Sequence, residues 1–146
     1  MTTRAQLSQI AGDVNGHTRL MRAALEGDTK TVERLLASRS DVNARNSEGR
    51  TPLMFAVVNR HADTVRKLIE HGADVNAAAN DGSTALMLAA TSGDAEIVRE
   101  LLKAGAKVSG SYKRTGETAL MLATRKGHAE IAQLLEATEK QKQTNP

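Results

Sequence analysis

At 146 residues and 40% apolar content the chain is sized for one compact domain, yet its aromatics are Phe55 and Tyr112 alone, so its core must come from Ala, Leu, Val, Ile and Met. The lack of cysteine excludes disulfides and thiolate chemistry, and no apolar run approaches the ~18 residues a membrane span needs. Net charge is a mild +3, but Lys107, Lys113, Arg114, Arg125 and Lys126 face only Glu117 between residues 107 and 126, so the positive excess sits at one end.

Residues 1–15 read as an N-terminal extension. Arg4 is its only charge before Asp13, and no unbroken apolar stretch follows, which argues against a signal peptide and makes the cytoplasm the expected compartment. Residues 4–11 are expected to add a short capping helix.

From residue 16 the chain repeats itself, the first thing to look for in any sequence. A Gly-x-Thr triplet recurs at Gly16-His17-Thr18, Gly49-Arg50-Thr51, Gly82-Ser83-Thr84 and Gly116-Glu117-Thr118, with spacings of 33, 33 and 34 residues. Leu-Met follows in every copy, ending at Met21, Met54, Met87 and Met121. An apolar block then appears as Val32/Leu35/Leu36, Val65/Leu68/Ile69, Val98/Leu101/Leu102 and Ile131/Leu134/Leu135.

Each copy predicts two short helices. The first opens at the Thr, which can cap free amides, and Pro52 stands at a first helical position, where a missing N–H is harmless. Its inward positions are small (Ala23/Ala24, Ala56/Val57, Ala89/Ala90, Ala123/Thr124), so neighbouring helices can approach closely. Gly27, Gly93 and Gly127 punctuate the turn into the second helix, whose apolar residues at i, i+3 and i+4 share one face. Asp63, Asp94 and Glu130 favour the start of that helix, and Gly72 and Gly105 suit its end. An extended stretch with a tight turn joins one copy to the next; Asn46-Ser47-Glu48-Gly49 has the Asn first and Gly last of a type I turn. One copy buries too little to fold alone, so the copies must stack.

The chemistry of an active site is missing from the pattern. His17, His61, His71 and His128 fall in no metal-binding spacing, no Ser lies in G-x-S-x-G, and no Gly run resembles a phosphate loop. No catalytic residue, metal ligand or cofactor is assigned. Nucleic-acid binding through Tyr112, Lys113, Arg114, Arg125 and Lys126 is a weaker reading, because a net +3 and one tyrosine fall short of a basic stripe.

The repeat resembles the ankyrin family, whose pattern G-x-T-P-L-H-x-A-A is matched by Gly49-Arg50-Thr51-Pro52-Leu53-Met54-Phe55-Ala56 and whose closing G-A-D-V-N is Gly72-Ala73-Asp74-Val75-Asn76. The resemblance implies an all-α solenoid of four helix-turn-helix repeats joined by β-turn fingers, with polar capping ends. Residues 16–46 would form the first repeat and N-cap, 47–79 the second, and 80–113 the third with a lengthened finger after it. Residues 114–139 would form the fourth repeat and C-cap, and 140–146 a disordered tail. Arg19 and Arg22 put charge on the first repeat, as a cap requires.

The departures from the pattern carry expectations of their own. Met replaces the family's His in all four copies, so the usual His hydrogen bonds are expected to be missing and the Met side chains to pack between repeats. Arg39 and Arg60 stand at Gly positions, implying mildly strained turns. Phe55 suits either the core or the exposed side. Asn43 and Asn76 are expected to bond backbone within their own turns. One residue is inserted before Gly116, which predicts a longer, more mobile finger.

Members of the family bind partner proteins through finger tips and the exposed side of each first helix. Carried onto this chain, those positions are Arg45, Ser47, Glu48, Arg50, Val58 and Asn59, then Asn80, Asp81, Ser83, Thr91 and Ser92, and finally Tyr112, Arg114, Thr115, Glu117, Arg125 and Lys126. Tyr and Arg, enriched at binding hot spots, concentrate in the last group. The resemblance therefore implies a monomeric, non-catalytic regulator or adaptor, and the cationic residues of the last group point to an acidic or mixed partner surface meeting the fourth repeat. A reworked ankyrin scaffold without a native target is the alternative.

Overall fold

The computed structural model describes residues 15–144; the extension through residue 14, including the capping helix expected over residues 4–11, and the last two residues lie outside the described residues. The chain divides into two compact units, Met1–Asp74 and Val75–Pro146. Among the described residues there are eight helices, and extended pairing is limited to single bridges at Ala78 with Thr84 and Ser111 with Thr118, so the protein is all-α.

The first unit holds α1 (Arg19–Glu26), α2 (Thr29–Ala37), α3 (Pro52–Val58) and α4 (Ala62–Glu70). The second holds α5 (Ala85–Ser92), α6 (Ala95–Lys103), α7 (Ala119–Arg125) and α8 (Ala129–Thr144). Each first helix starts where the repeated Thr accepts a hydrogen bond from an amide three residues on: Met21 N at 3.2 Å, Met54 N at 3.5 Å, Met87 N at 3.3 Å and Met121 N at 3.3 Å. Asp28 and Asp94 cap α2 and α6 in the same way. The strained turns expected from sequence are present, because Arg39 and Arg60 take φ of 65° and 60° where Gly72 and Gly27 take 91° and 71° in the neighbouring repeat.

Within the first unit α1 packs on α3 and α2 on α4; within the second, α5 packs on α7 and α6 on α8. Ala24, Ala56, Ala89, Ala90 and Ala123 are fully buried, so helix axes come close enough for Leu20, Leu53, Leu68, Leu86, Ile97 and Leu101 to exclude water. Met21, Met54 and Met87 are buried as packing residues, whereas Met121 is 55% exposed and Thr124, expected at an inward position, lies on the surface. At α1 the sulfur replaces part of what a His would supply: the Thr18 amide donates to Met21 Sδ at 3.4 Å while the Thr18 hydroxyl accepts from Met21 N.

Two expectations need correction. The tail was expected to be disordered from residue 140, but α8 continues to Thr144. Its last turns are built from Glu, Lys and Gln, all good helix formers, with no Gly or Pro before Pro146. The side chains of Asn43 and Asn76 reach past their own turns to the next repeat. Asn43 Nδ2 donates to Gly72 O at 3.2 Å and its Oδ1 accepts from Asp74 N at 2.7 Å. Asn76 does the same with Gly105 O at 3.1 Å and Lys107 N at 2.8 Å. Each amide thus clamps the turn one repeat further on, using donor and acceptor together.

Candidate partner-binding groove

The second unit brings two fingers and two first helices together. The finger over residues 79–82 closes with Gly82 N on Ala79 O at 2.9 Å, a four-residue turn. In the next finger the corresponding bond runs from Gly116 N to Tyr112 O at 2.8 Å, one residue wider, with Tyr112 N on Glu117 O at 3.0 Å. The inserted residue is therefore absorbed at the tip, around Lys113, Arg114 and Thr115. Lys113 N bonds Asp81 O at 2.9 Å and ties the fingers side by side. Gly82 makes that approach possible: at φ +91° it faces Ser111 O, which an added Cβ would meet at 2.5 Å.

Between these fingers and the exposed sides of α5 and α7 lies a groove of about 420 Å³. Its walls are Asp81, Thr91, Tyr112, Arg114, Thr115, Glu117, Leu122, Arg125 and Lys126. All but Leu122 are positions named from sequence. Leu122 is the floor, buried at 2% exposure, and lies one helical turn before Arg125 on the same face of α7. An i, i+3 argument from Arg125 would have found it.

The charges in the groove are unevenly matched. Arg125 Nε pairs with Glu117 Oε1 at 2.9 Å, and Glu117 Oε2 accepts from the Thr115 hydroxyl at 3.2 Å. Asp81 Oδ1 accepts from Ser83 N at 2.9 Å and Ser83 Oγ at 2.6 Å. Arg114 and Lys126 form no ion pair among the described residues, which leaves the groove with a surplus of positive charge. The Thr91 hydroxyl is occupied by Met87 O at 3.0 Å.

The other sequence-named positions fare differently. Ser83 is fully buried, because its hydroxyl and amide fold onto Asp81; it supports the finger and cannot touch a partner directly. Ser92 is half-buried with its hydroxyl on Leu88 O at 2.9 Å, and neither it nor exposed Asn80 lines the groove. In the first unit, Glu48 pairs with Arg50 at 3.0 Å, Asn59 Nδ2 donates to Leu25 O at 2.7 Å, and Val58 is exposed on α3. Exposed Arg45 and Ser47 lie on the approach to that finger, where Ser47 N bonds Asn15 O at 2.9 Å. A second depression of about 320 Å³, lined by Leu20, Leu35, Asp41 and others, contains none of the named positions.

The histidines serve packing and backbone. His17 meets Phe55 edge-on at 5.2 Å between ring centroids, which places Phe55 half-buried on the finger side of α3. His61 reaches Leu25 O at 3.0 Å, His71 reaches Lys67 O at 2.8 Å and His128 reaches Thr91 O at 3.3 Å. Among the described residues no group of three or more His, Asp or Glu is placed to hold a metal ion, and no helix is long and apolar enough to cross a membrane.

The family model for ankyrin repeats (three copies) matches residues 5–79 and again residues 76–145. No curated protein is significantly similar to the chain. With nearly the whole sequence matched, and with the Thr-capped first helices, left-handed turns and paired fingers the repeat requires, the chain belongs to the ankyrin-repeat family.

Proposed function

We propose that the chain is a non-catalytic binding module of the cytoplasm that grips a partner protein through its fingers and first helices, as a regulator or adaptor. Ankyrin repeats are in general protein–protein interaction modules. The observation that carries the finer reading is the groove of the second unit, where Tyr112, Arg114, Arg125 and Lys126 converge over an apolar floor. Aromatic and Arg anchors beside a small apolar surface are the usual makings of a hot spot, and surplus positive charge selects an acidic partner surface. A shallow groove suits a protein surface or segment better than an enclosed small substrate.

The test is affinity capture with the wild type and with two variants, R114E/R125E/K126E in the groove and V58E/N59E on α3. A partner held by the wild type and the α3 variant but lost by the groove variant supports the reading. A partner indifferent to groove charge reversal moves the site to the first unit and refutes it.

A further inference from the structure

We propose that Glu117 is a built-in occupant of the groove, standing where an acidic side chain of the partner will sit, so that binding exchanges Glu117 for the partner's carboxylate on Arg125. The inference rests on the reading of the groove as a protein-binding site and adds the ligand chemistry and the residue that sets its affinity.

Three observations support it. First, Arg125 is already engaged by a carboxylate, with Nε 2.9 Å from Glu117 Oε1, so the geometry at this point of the groove fits that group. Second, Arg114 and Lys126 line the same groove without an ion pair of their own among the described residues, and even with Asp81 and Glu117 counted the lining keeps a positive surplus, so an arriving carboxylate gains attraction that those two anions do not use up. Third, Glu117 has somewhere to go. The Thr115 hydroxyl donates to Oε2 at 3.2 Å and water reaches the rest of the side chain, which is 28% exposed. Neither charge is stranded when the pair opens.

The floor completes the match. Leu122 and the half-buried Tyr112 ring offer apolar contact to the methylene stem of a glutamate or to an aliphatic neighbour. The occupant is thus an extended protein segment carrying Glu beside an aliphatic residue. Exchange of one exposed carboxylate for another is close to balanced, because such pairs are individually weak. Glu117 therefore tunes affinity downward and rejects segments that bring no acid of their own.

The experiment uses the full chain and two capped octapeptides, one with Glu-Leu-Glu at its centre and one with Gln-Leu-Gln. Binding is followed by NMR titration, with the Arg125 Nε–H signal as the local reporter. E117Q keeps one oxygen to accept from Arg125 Nε and turns its amide NH2 toward the Thr115 hydroxyl, which then accepts, so its thermal midpoint should stay close to that of the wild type. The expected result is that the acidic peptide shifts the Arg125 signal and binds E117Q about 3- to 5-fold more tightly than wild type, the range of one exposed ion pair. The Gln peptide should be indifferent to the change. If E117Q binds the acidic peptide no better, while R114E/K126E still abolishes binding, the exchange is wrong and the groove stands as the site. If R114E/K126E binds as well as wild type, or the acidic peptide does not bind at all, the groove reading falls and the exchange with it.

Discussion

The imidazole of His61 lies so close to Gly27 that a β-carbon on the glycine would stand 2.5 Å from Nδ1. The approach lets His61 Nε2 and Asn59 Nδ2 converge on Leu25 O, at 3.0 and 2.7 Å, so a terminal carbonyl of α1 is satisfied by the following repeat. His128 stands against Gly93 in the same way, with a β-carbon position 2.5 Å from its ring and Nε2 3.3 Å from Thr91 O. Gly127 takes the same left-handed φ of +78° but faces open space. Two reasons for a glycine, backbone conformation and ring contact, are therefore separable within one chain.

Alanine at Gly127 should cost only the backbone term, about 1–2 kcal/mol. Alanine at Gly27 or Gly93 should cost at least about 1 kcal/mol more, because the ring must move and a helix-end carbonyl loses its histidine contact. Urea denaturation of the three variants measures the difference, and G27A/H61A should lose the steric part. Equal costs at all three positions would show that the histidines yield freely.

Arg39 and Arg60 occupy left-handed turns that their own Cβ disfavours. Replacing either with Gly should stabilise the protein by up to about 1 kcal/mol, the left-handed penalty less the extra entropy of glycine in the unfolded chain. A lower melting temperature for both R39G and R60G would mean that their side chains contribute more than the strain removes.

The asparagine clamps should be worth about 1–2 kcal/mol each, two exposed hydrogen bonds apiece, and N43A and N76A should show it in thermal melts. Aspartate separates the two sites. In N76D the new carboxylate accepts from the amide of cationic Lys107, whereas in N43D it accepts from the amide of anionic Asp74. N76D should therefore be milder than N43D, and added salt should narrow the gap.

Hydrogen bonds from the Thr31 hydroxyl and amide hold the Asp28 carboxyl below its ordinary range. A carboxyl lowered in the folded state contributes stability that is present above its unfolded pKa and is lost as pH falls through the folded value. D28N keeps an oxygen for the Thr31 amide but removes the titration. Its melting temperature should fall less than that of wild type over the acid range below the ordinary aspartate pKa. Parallel melting curves for the two proteins would remove Asp28 from the acid response.

The helices, their caps and the left-handed turns were legible in the sequence, including the unusual Arg39 and Arg60, because each depends on groups three or four residues apart within one repeat. The same locality made the four copies visible to self-alignment. It also placed eight of the nine groove residues, since finger tips and exposed helix positions recur at fixed offsets from Gly-x-Thr.

What the tertiary structure decided lies at separations near thirty residues, or in the choice among side-chain orientations. Asn43 looked like a residue serving its own turn and instead serves Gly72 and Asp74. Ser83 looked like a fingertip contact and is buried on Asp81; Leu122, to which the sequence assigns no role, floors the groove. Glu117 and Arg125 were both read as facing a partner, yet they face each other. A 33-residue period puts equivalent positions of neighbouring repeats side by side, and so fixes which backbones meet. Which polar atom pairs with which is settled only when packing selects one rotamer at each position, because every such pair competes against water by about 1 kcal/mol.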